Sequence, residues 1–396
     1  MADNPDINAV LKLTAKPQAL PAPRGKVVRV TNSEEFIRAI KGAENNTTIL
    51  MADGTYPVPS DTDLTAHGVT IRSESGEREK VIIDGGGEMK RLLRIKGAWD
   101  TTIADVTWAN CEHYGVFIYG DTGVQRTTIH NCKFHNIMTR AVKGTHPARP
   151  LDAGDAPPYP PSVVDKVRPT QGVIRHCLFL NDHAKKHDPW DDGNYISGID
   201  MMGLKDWIIS DNVFCGIRGK DGRGRGAIFV WIGCENVTAE RNIIINCDRG
   251  ICFGNPSSTV PNMYSGMVRN NFIVAGANMA VEIVNTVSTS ALNNSIFATN
   301  FDYSRTLNFS QESIGGRCFN NLVHGKIDLA EKVEHGNNLS GDYAPYFRNP
   351  KIGDLRLTSD AIMALGKGKA LPDVSEDFDR QPRAPKPCIG AHEPKA

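Results

Sequence analysis

A short motif that returns along most of the chain constrains the fold more than any other feature. It is a β-branched run, then Asn or a close relative, then a second apolar run: TTIADVTW, TTIHNCKF, GVIRHCLFL, WIISDNVF, VTAERNIII, GMVRNNFIV, SALNNSIF and RCFNNLV. Asp84, Asp105 and Asn131, the first clear markers, lie 21 and then 26 residues apart. Each marker is followed by another short run: YGVFIYG, RAVKGTHP, SGIDMMG, GAIFVWIG, RGICFGN, MAVEIVN and RTLNFS. Runs this short, broken by Gly and Asn, are strands joined by tight turns. A period of this length is that of a solenoid coil. Asn at a fixed point in each coil suits a left-handed turn residue whose side chains stack as a hydrogen-bonded ladder.

A chain of 396 residues would ordinarily divide into two or three domains. A solenoid escapes that rule, because each coil adds core without a new centre. The reading is an all-β, single-domain solenoid over 27–394, preceded by a Pro- and Ala-rich leader over 1–26. One helix is expected near 33–43 in TNSEEFIRAIKGA. Asn32 is its N-cap, Glu35 completes a capping box, and Phe36, Ile37 and Ile40 form its apolar face. Its place is over the open apolar end of the stack.

Lys+Arg and Asp+Glu are 45 each, so no overall field draws the chain to nucleic acid or a membrane surface. No run approaches the roughly 18 apolar residues of a transmembrane helix. The nine cysteines include no CxxC pair, which points to buried thiols rather than to a disulfide scaffold or a zinc site. The start lacks the basic-then-apolar order of a signal peptide, as a secreted or periplasmic protein does once its signal is removed.

Aligning the second runs puts Val116, Val142, Ile199, Ile228, Ile251, Val281 and Leu307 in one column. Phe117, Lys143, Asp200, Phe229, Cys252, Glu282 and Asn308 form the next. Side chains alternate faces along a strand, so the aliphatic column points into the coil and the mixed one out. Lys143 and Asp200 then stand on adjacent rungs, about 4.8 Å apart. The longest insertions, THPARPLDAGDAPPYPPSVVDKVRPTQ, NDHAKKHDPWDDGNY and RGKDGRGRG, flank these same coils and wall a groove over them. A plain surface ion pair is the alternative reading of Lys143 and Asp200.

The groove suits an acidic sugar polymer. Arg140, Arg218, Arg223 and Arg225 offer planar forks for carboxylate or sulfate. Trp231 and Tyr119 offer rings on which sugars stack. His146, His183 and His187 border it as candidate proton donors. Asp188, Asp191 and Asp192 are candidate ligands for a hard cation, or a solvated loop.

SEEFIRAIKGAENNTTILMADGTYPV and GVTIRSESGEREKVIIDGGG, with the ending DFDRQPRAPKPCIGAHE, resemble right-handed parallel β-helix proteins of the pectate-lyase type. The likeness is strongest to the chondroitinase-B and alginate-lyase branch of polysaccharide lyases. It implies a monomer that cleaves an acidic polysaccharide by β-elimination, with Lys143 as base. In several members calcium is held by acidic residues. Where that branch carries Lys and then Arg on successive coils, this chain carries Asp200, so the arginine is expected from a loop as Arg218 or Arg225. A glycoside hydrolase using Asp200 with loop carboxylates, a C5-epimerase, and a non-catalytic glycan-binding or tailspike-like module are the competing functions. HExxH, P-loop, GxSxG and strand-borne GxGxxG motifs do not occur.

Overall fold

The computed structural model describes residues 3–147, 161–186, 192–257, 261–276, 278–310 and 312–394. Each coil gives one strand to each of three parallel sheets. In one full coil Ser197–Met202 lies in sheet 1, Lys205–Ser210 in sheet 2 and Val213–Cys215 in sheet 3. Gly226–Trp231 then returns to sheet 1 beside Ser197–Met202. The architecture is a parallel β-helix. No helix of the described residues is long and apolar enough to cross a membrane.

The corner between sheets 2 and 3 fixes how the coils stack. The sequence suggested one residue per coil that is both left-handed and part of a ladder, but the structure divides these tasks between neighbours. Asp211, Arg241, Asn270, Asn293, Asn320 and Asn337 take positive φ, 51° to 59°. The residues that follow them, Asn212, Asn242, Asn271, Asn294, Asn321 and Asn338, turn inward as the ladder. The Asn212 backbone N–H donates to Asn242 Oδ1 (3.1 Å), and the Asn242 N–H to Asn271 Oδ1 (3.0 Å). The side-chain amide of Asn242 also donates to Ile209 O at 2.9 Å. In earlier coils Cys132 and Cys177 hold this position, each offering its thiol to backbone carbonyls. All nine cysteines are buried and free.

Sheet 1 begins with a bend. Ala141 and Val142, though consecutive, both join the central core, as do Ala227 and Ile228. The first of each pair is Gly or Ala because aromatic rings from sheet 3 pack against it. Phe134, Phe179 and Phe214 stack with centroids 4.9 and 4.4 Å apart, and a Cβ at Gly198 would sit 2.8 Å from Phe214. Two inward residues in succession leave positions 140 and 143 both pointing out.

The N-terminal helix runs Ser33–Lys41 with Asn32 as N-cap. Asn32 Oδ1 accepts from the Glu35 N–H, while Glu35 reaches one residue further back than expected, to the Thr31 N–H. Phe36 and Ile40 are buried in the central core. Two more helices form: Ile7–Leu11, ahead of the first coil, and Pro161–Val167, inside an insertion that the sequence had suggested was loop. The outer face of sheet 3 is covered by both ends of the chain. Leu178, Val213, Ile243 and Phe272 pack there with Val10, Leu355, Phe378 and Ile389.

The closing segment is a knot of polar contacts. Asp377 accepts from the N–H groups of Gln381 and Glu393, Asp379 pairs with Arg356, and His392 Nδ1 accepts from the Leu357 N–H. Burial pushes His392 down to about 4. Between the unfolded value of about 6.5 and that figure, the unfolded chain binds a proton that the folded chain refuses. Stability from His392 is therefore full above that window and declines as the pH falls through it. Urea melts across the window should show this slope, and His392→Gln should flatten it. In the ladder, Asn242→Ala strands the Asn212 N–H and Ile209 O, and should cost about 1–3 kcal/mol for each buried group left unpaired, read from urea midpoints.

Candidate active site

Register in sheet 1 pairs Phe117 with Lys143, Lys143 with Asp200, and Asp200 with Phe229, then runs on through Cys252, Glu282 and Asn308. Lys143 Nζ lies 3.1 Å from Asp200 Oδ1. The bend in sheet 1 brings Arg140 to the same carboxylate, its Nε 2.6 Å from Asp200 Oδ2. Trp231 Nε1–H donates to Oδ1 at 3.2 Å. One carboxylate thus takes donors from three residues, and the cluster of two cations and one anion carries a net positive charge.

The cluster is buried: Arg140 and Asp200 are 1% exposed and Lys143 is 5%. Burial alone would raise the Asp200 carboxyl, but Lys143 and then Arg140 outweigh it and hold it below the usual carboxylate range. The whole outward column is covered in this way, contrary to the open groove read from sequence. Large side chains in one layer cover one another. Phe229 stacks on Trp231 at 5.2 Å, Arg225 lies 4.6 Å over Phe229, and Phe117 packs between Tyr114 and Tyr119.

A second cluster repeats the arrangement. Glu282 pairs with Arg225 at 3.0 Å and with Arg249 at 3.2 Å. At the N-terminal end Arg91 and Arg94 share Asp61, and Arg94 also pairs with Asp63.

The other sequence candidates scatter. Arg223 is exposed and paired with Asp192 and Asp221. Arg218 is away from the Lys143 cluster, lining a trough of about 930 Å³ with Ile245, Val274 and Phe297 beside sheet 3. Tyr119 is buried, with Lys96 Nζ 5.3 Å from its ring. His146 is half-buried just after the Lys143 strand, and His183 is exposed with Nδ1 3.1 Å from Ala184 O. His187, Asp188 and Asp191 lie outside the described residues. Of the proposed metal ligands that leaves Asp192, which is engaged by Arg223, so the described residues do not form a calcium site at this loop. Among them, Asp377, Asp379 and His392 lie close enough together to share an ion, but Asp379 is taken by Arg356 and Asp377 by backbone N–H groups.

Sequence reasoning missed two residues. Tyr195 places its ring centroid 3.6 Å from the Arg140 guanidinium and is 44% exposed. Lys185, 4% exposed, ties it down: Nζ donates to Tyr195 O and to Thr139 Oγ1, both at 3.2 Å. Both lie in an insertion with no repeat against which to align them. Arg94 was legible, since RLLRIKG fits the sheet 1 pattern one coil before Phe117.

Compared with solved structures, the chain is similar to pectate lyase Pel9A, with TM-score 0.61 and 12% identity, over 94% of this chain and 97% of that one. The chain is a right-handed parallel β-helix. Other solved structures are more distant. A rhamnogalacturonan lyase has TM-score 0.44 and 13% identity over 85% of this chain and 97% of that one. An alginate lyase from Paenibacillus sp. str. FPU-7 has 0.40 and 10% over 78% and 99%. No family model matches the chain, and no curated protein does. Likeness at this identity establishes the β-helix and leaves activity to the site.

Asp200→Asn leaves two buried cations facing a neutral amide. It should cost about 3–5 kcal/mol at neutral pH, measured by urea unfolding. The stability that Asp200 contributes is present above its unfolded value of about 3.9 and is lost as the pH falls through its lower folded value. The gap between wild type and variant should therefore close only below about pH 4.

Proposed function

We propose that this chain is a polysaccharide lyase that cleaves a uronic-acid-containing polymer by β-elimination on the outer face of sheet 1. The observation that carries this reading is the Arg140–Asp200–Lys143 cluster, two cations sharing one carboxylate on a scaffold similar to that of a pectate lyase. When Lys143 takes the C5 proton it becomes a cation again, and the cluster's uncompensated positive charge then faces the sugar carboxylate, whose negative charge grows in the same step.

Lys143 is the base in this reading. To act, its Nζ must be neutral; Asp200 has donors besides it in Arg140 and Trp231. The Arg225–Glu282–Arg249 cluster, with the stacked Phe229 and Trp231, offers a second place for an acidic sugar along the same face. The polymer is the partner, and the protein acts outside the cytoplasm as a monomer.

The hydrolase reading asks Asp200 to serve as acid or nucleophile. Its carboxylate is held in the ionised form, which does not suit the acid, and its two oxygens are buried and engaged by three donor residues, which does not suit the nucleophile. A C5-epimerase shares the proton abstraction and differs in product.

Incubation with pectate, alginate and glycosaminoglycans should produce ultraviolet absorbance of an unsaturated uronide with one of them. Lys143→Ala should lower that rate by about 10²–10⁴-fold while the fold is kept. Reducing ends without absorbance would indicate a hydrolase, retained binding alone a module, and full activity in Lys143→Ala a different base.

A further inference from the structure

We propose that Tyr195 is the proton donor to the leaving oxygen, an assignment that rests on the lyase reading above. Cutting a polymer in mid-chain sends the leaving half out toward solvent. Its proton donor must therefore touch the charged cluster and be exposed. Arg140, Lys143 and Asp200 are buried, and Trp231 commits its N–H to Asp200. Tyr195 meets both conditions, stacked on Arg140 at 3.6 Å and 44% exposed.

Its placement is built. Lys185 bonds the Tyr195 carbonyl to Thr139, the residue immediately before Arg140. The Lys185 backbone N–H is itself held by Arg218 O at 2.8 Å. With its backbone anchored this way and its ring over Arg140, the phenol meets the requirement that a general acid be positioned before the bond breaks.

The step balances without a co-reactant. Neutral Lys143 Nζ takes the C5 proton, and the C5–H electron pair becomes the C4=C5 double bond. The C4–O bond breaks with its electron pair passing to oxygen, which takes the phenolic proton of Tyr195. Arg140 beneath the ring offsets the charge left on the phenolate. Water then reprotonates Tyr195 and accepts the proton from Lys143.

Tyr195→Phe keeps the ring over Arg140 and removes the proton. Two substrates test it: the 4-linked polyuronate that wild type cleaves, and a uronide bearing 4-nitrophenol at C4, whose departing oxygen needs no proton. The variant should lose about 100-fold or more on the polymer and less than about threefold on the nitrophenyl substrate. His146→Ala, run alongside, should lose equally on both. Equal losses for Tyr195→Phe, no loss on the polymer, or the selective pattern in His146→Ala would each overturn the assignment. If wild type forms unsaturated product from neither substrate, the lyase reading itself falls and takes this inference with it.

Discussion

Coils stacked in fixed register are the constraint on which the rest of this protein depends. A strand slipped by one residue exchanges its two faces, which here would turn Lys143 and Asp200 into the core and expose Val142 and Ile199. The asparagine ladder opposes such a slip. From Asn242 onward each ladder oxygen accepts from both the backbone and the side chain of the rung before it, as Asn242 Oδ1 does from Asn212. The partners are buried, and a displaced rung would leave them without hydrogen bonds. Small residues at the start of sheet 1 add a steric lock, because Phe134 and Phe214 leave no room for a larger neighbour at Gly115 or Gly198.

Given that register, the charges on sheet 1 need their own account. Burying two cations and a carboxylate is expensive, and well-packed apolar residues of similar volume are commonly as stable or more so. The chain nevertheless does this at Asp200, and at Glu282 it again sets two basic partners, there half-buried, against one buried acid. At the N-terminal end the same face carries two arginines against two aspartates. A chain with no net charge overall therefore concentrates positive charge on its middle coils. Packing does not explain that placement, whereas the anionic polymer proposed above would.

How much of this could be read from the sequence follows from how each part is encoded. Columns repeat, so the alignment of Val116 to Leu307 and of Phe117 to Asn308 agrees with the strand register at every rung. The bend in sheet 1 breaks the alternation of faces, so Arg140 looked like a neighbour of Lys143 free to meet substrate when it is the closest partner of Asp200. Alternation also says nothing about cover: an outward position need not be an open one, and Phe229 and Cys252 show this. Inside the insertions nothing repeats. Arg218 and Arg225 stand in one short loop, yet one turns to sheet 3 and the other to Glu282, and Tyr195 and Lys185 had no column to announce them.

The remaining surfaces narrow the choice of face. Sheet 3 is covered from outside by helix Ile7–Leu11 and strand Asp354–Leu357, which bury Val10 and Leu355 against Val213 and Ile243, and it opens at the trough lined by Ile245, Val274 and Phe297. Sheet 2 keeps isolated apolar residues such as Ile208 and Tyr264 in the open, and single exposed side chains of that kind are ordinary. Sheet 1 differs from both, because among the described residues its outer layer is held together by ion pairs and stacked rings rather than by another segment's apolar face. Ion pairs and stacked rings can re-form around an acidic sugar, since the ligand brings a carboxylate to the cations and a ring face to the aromatics. An aliphatic seal has no such exchange to offer.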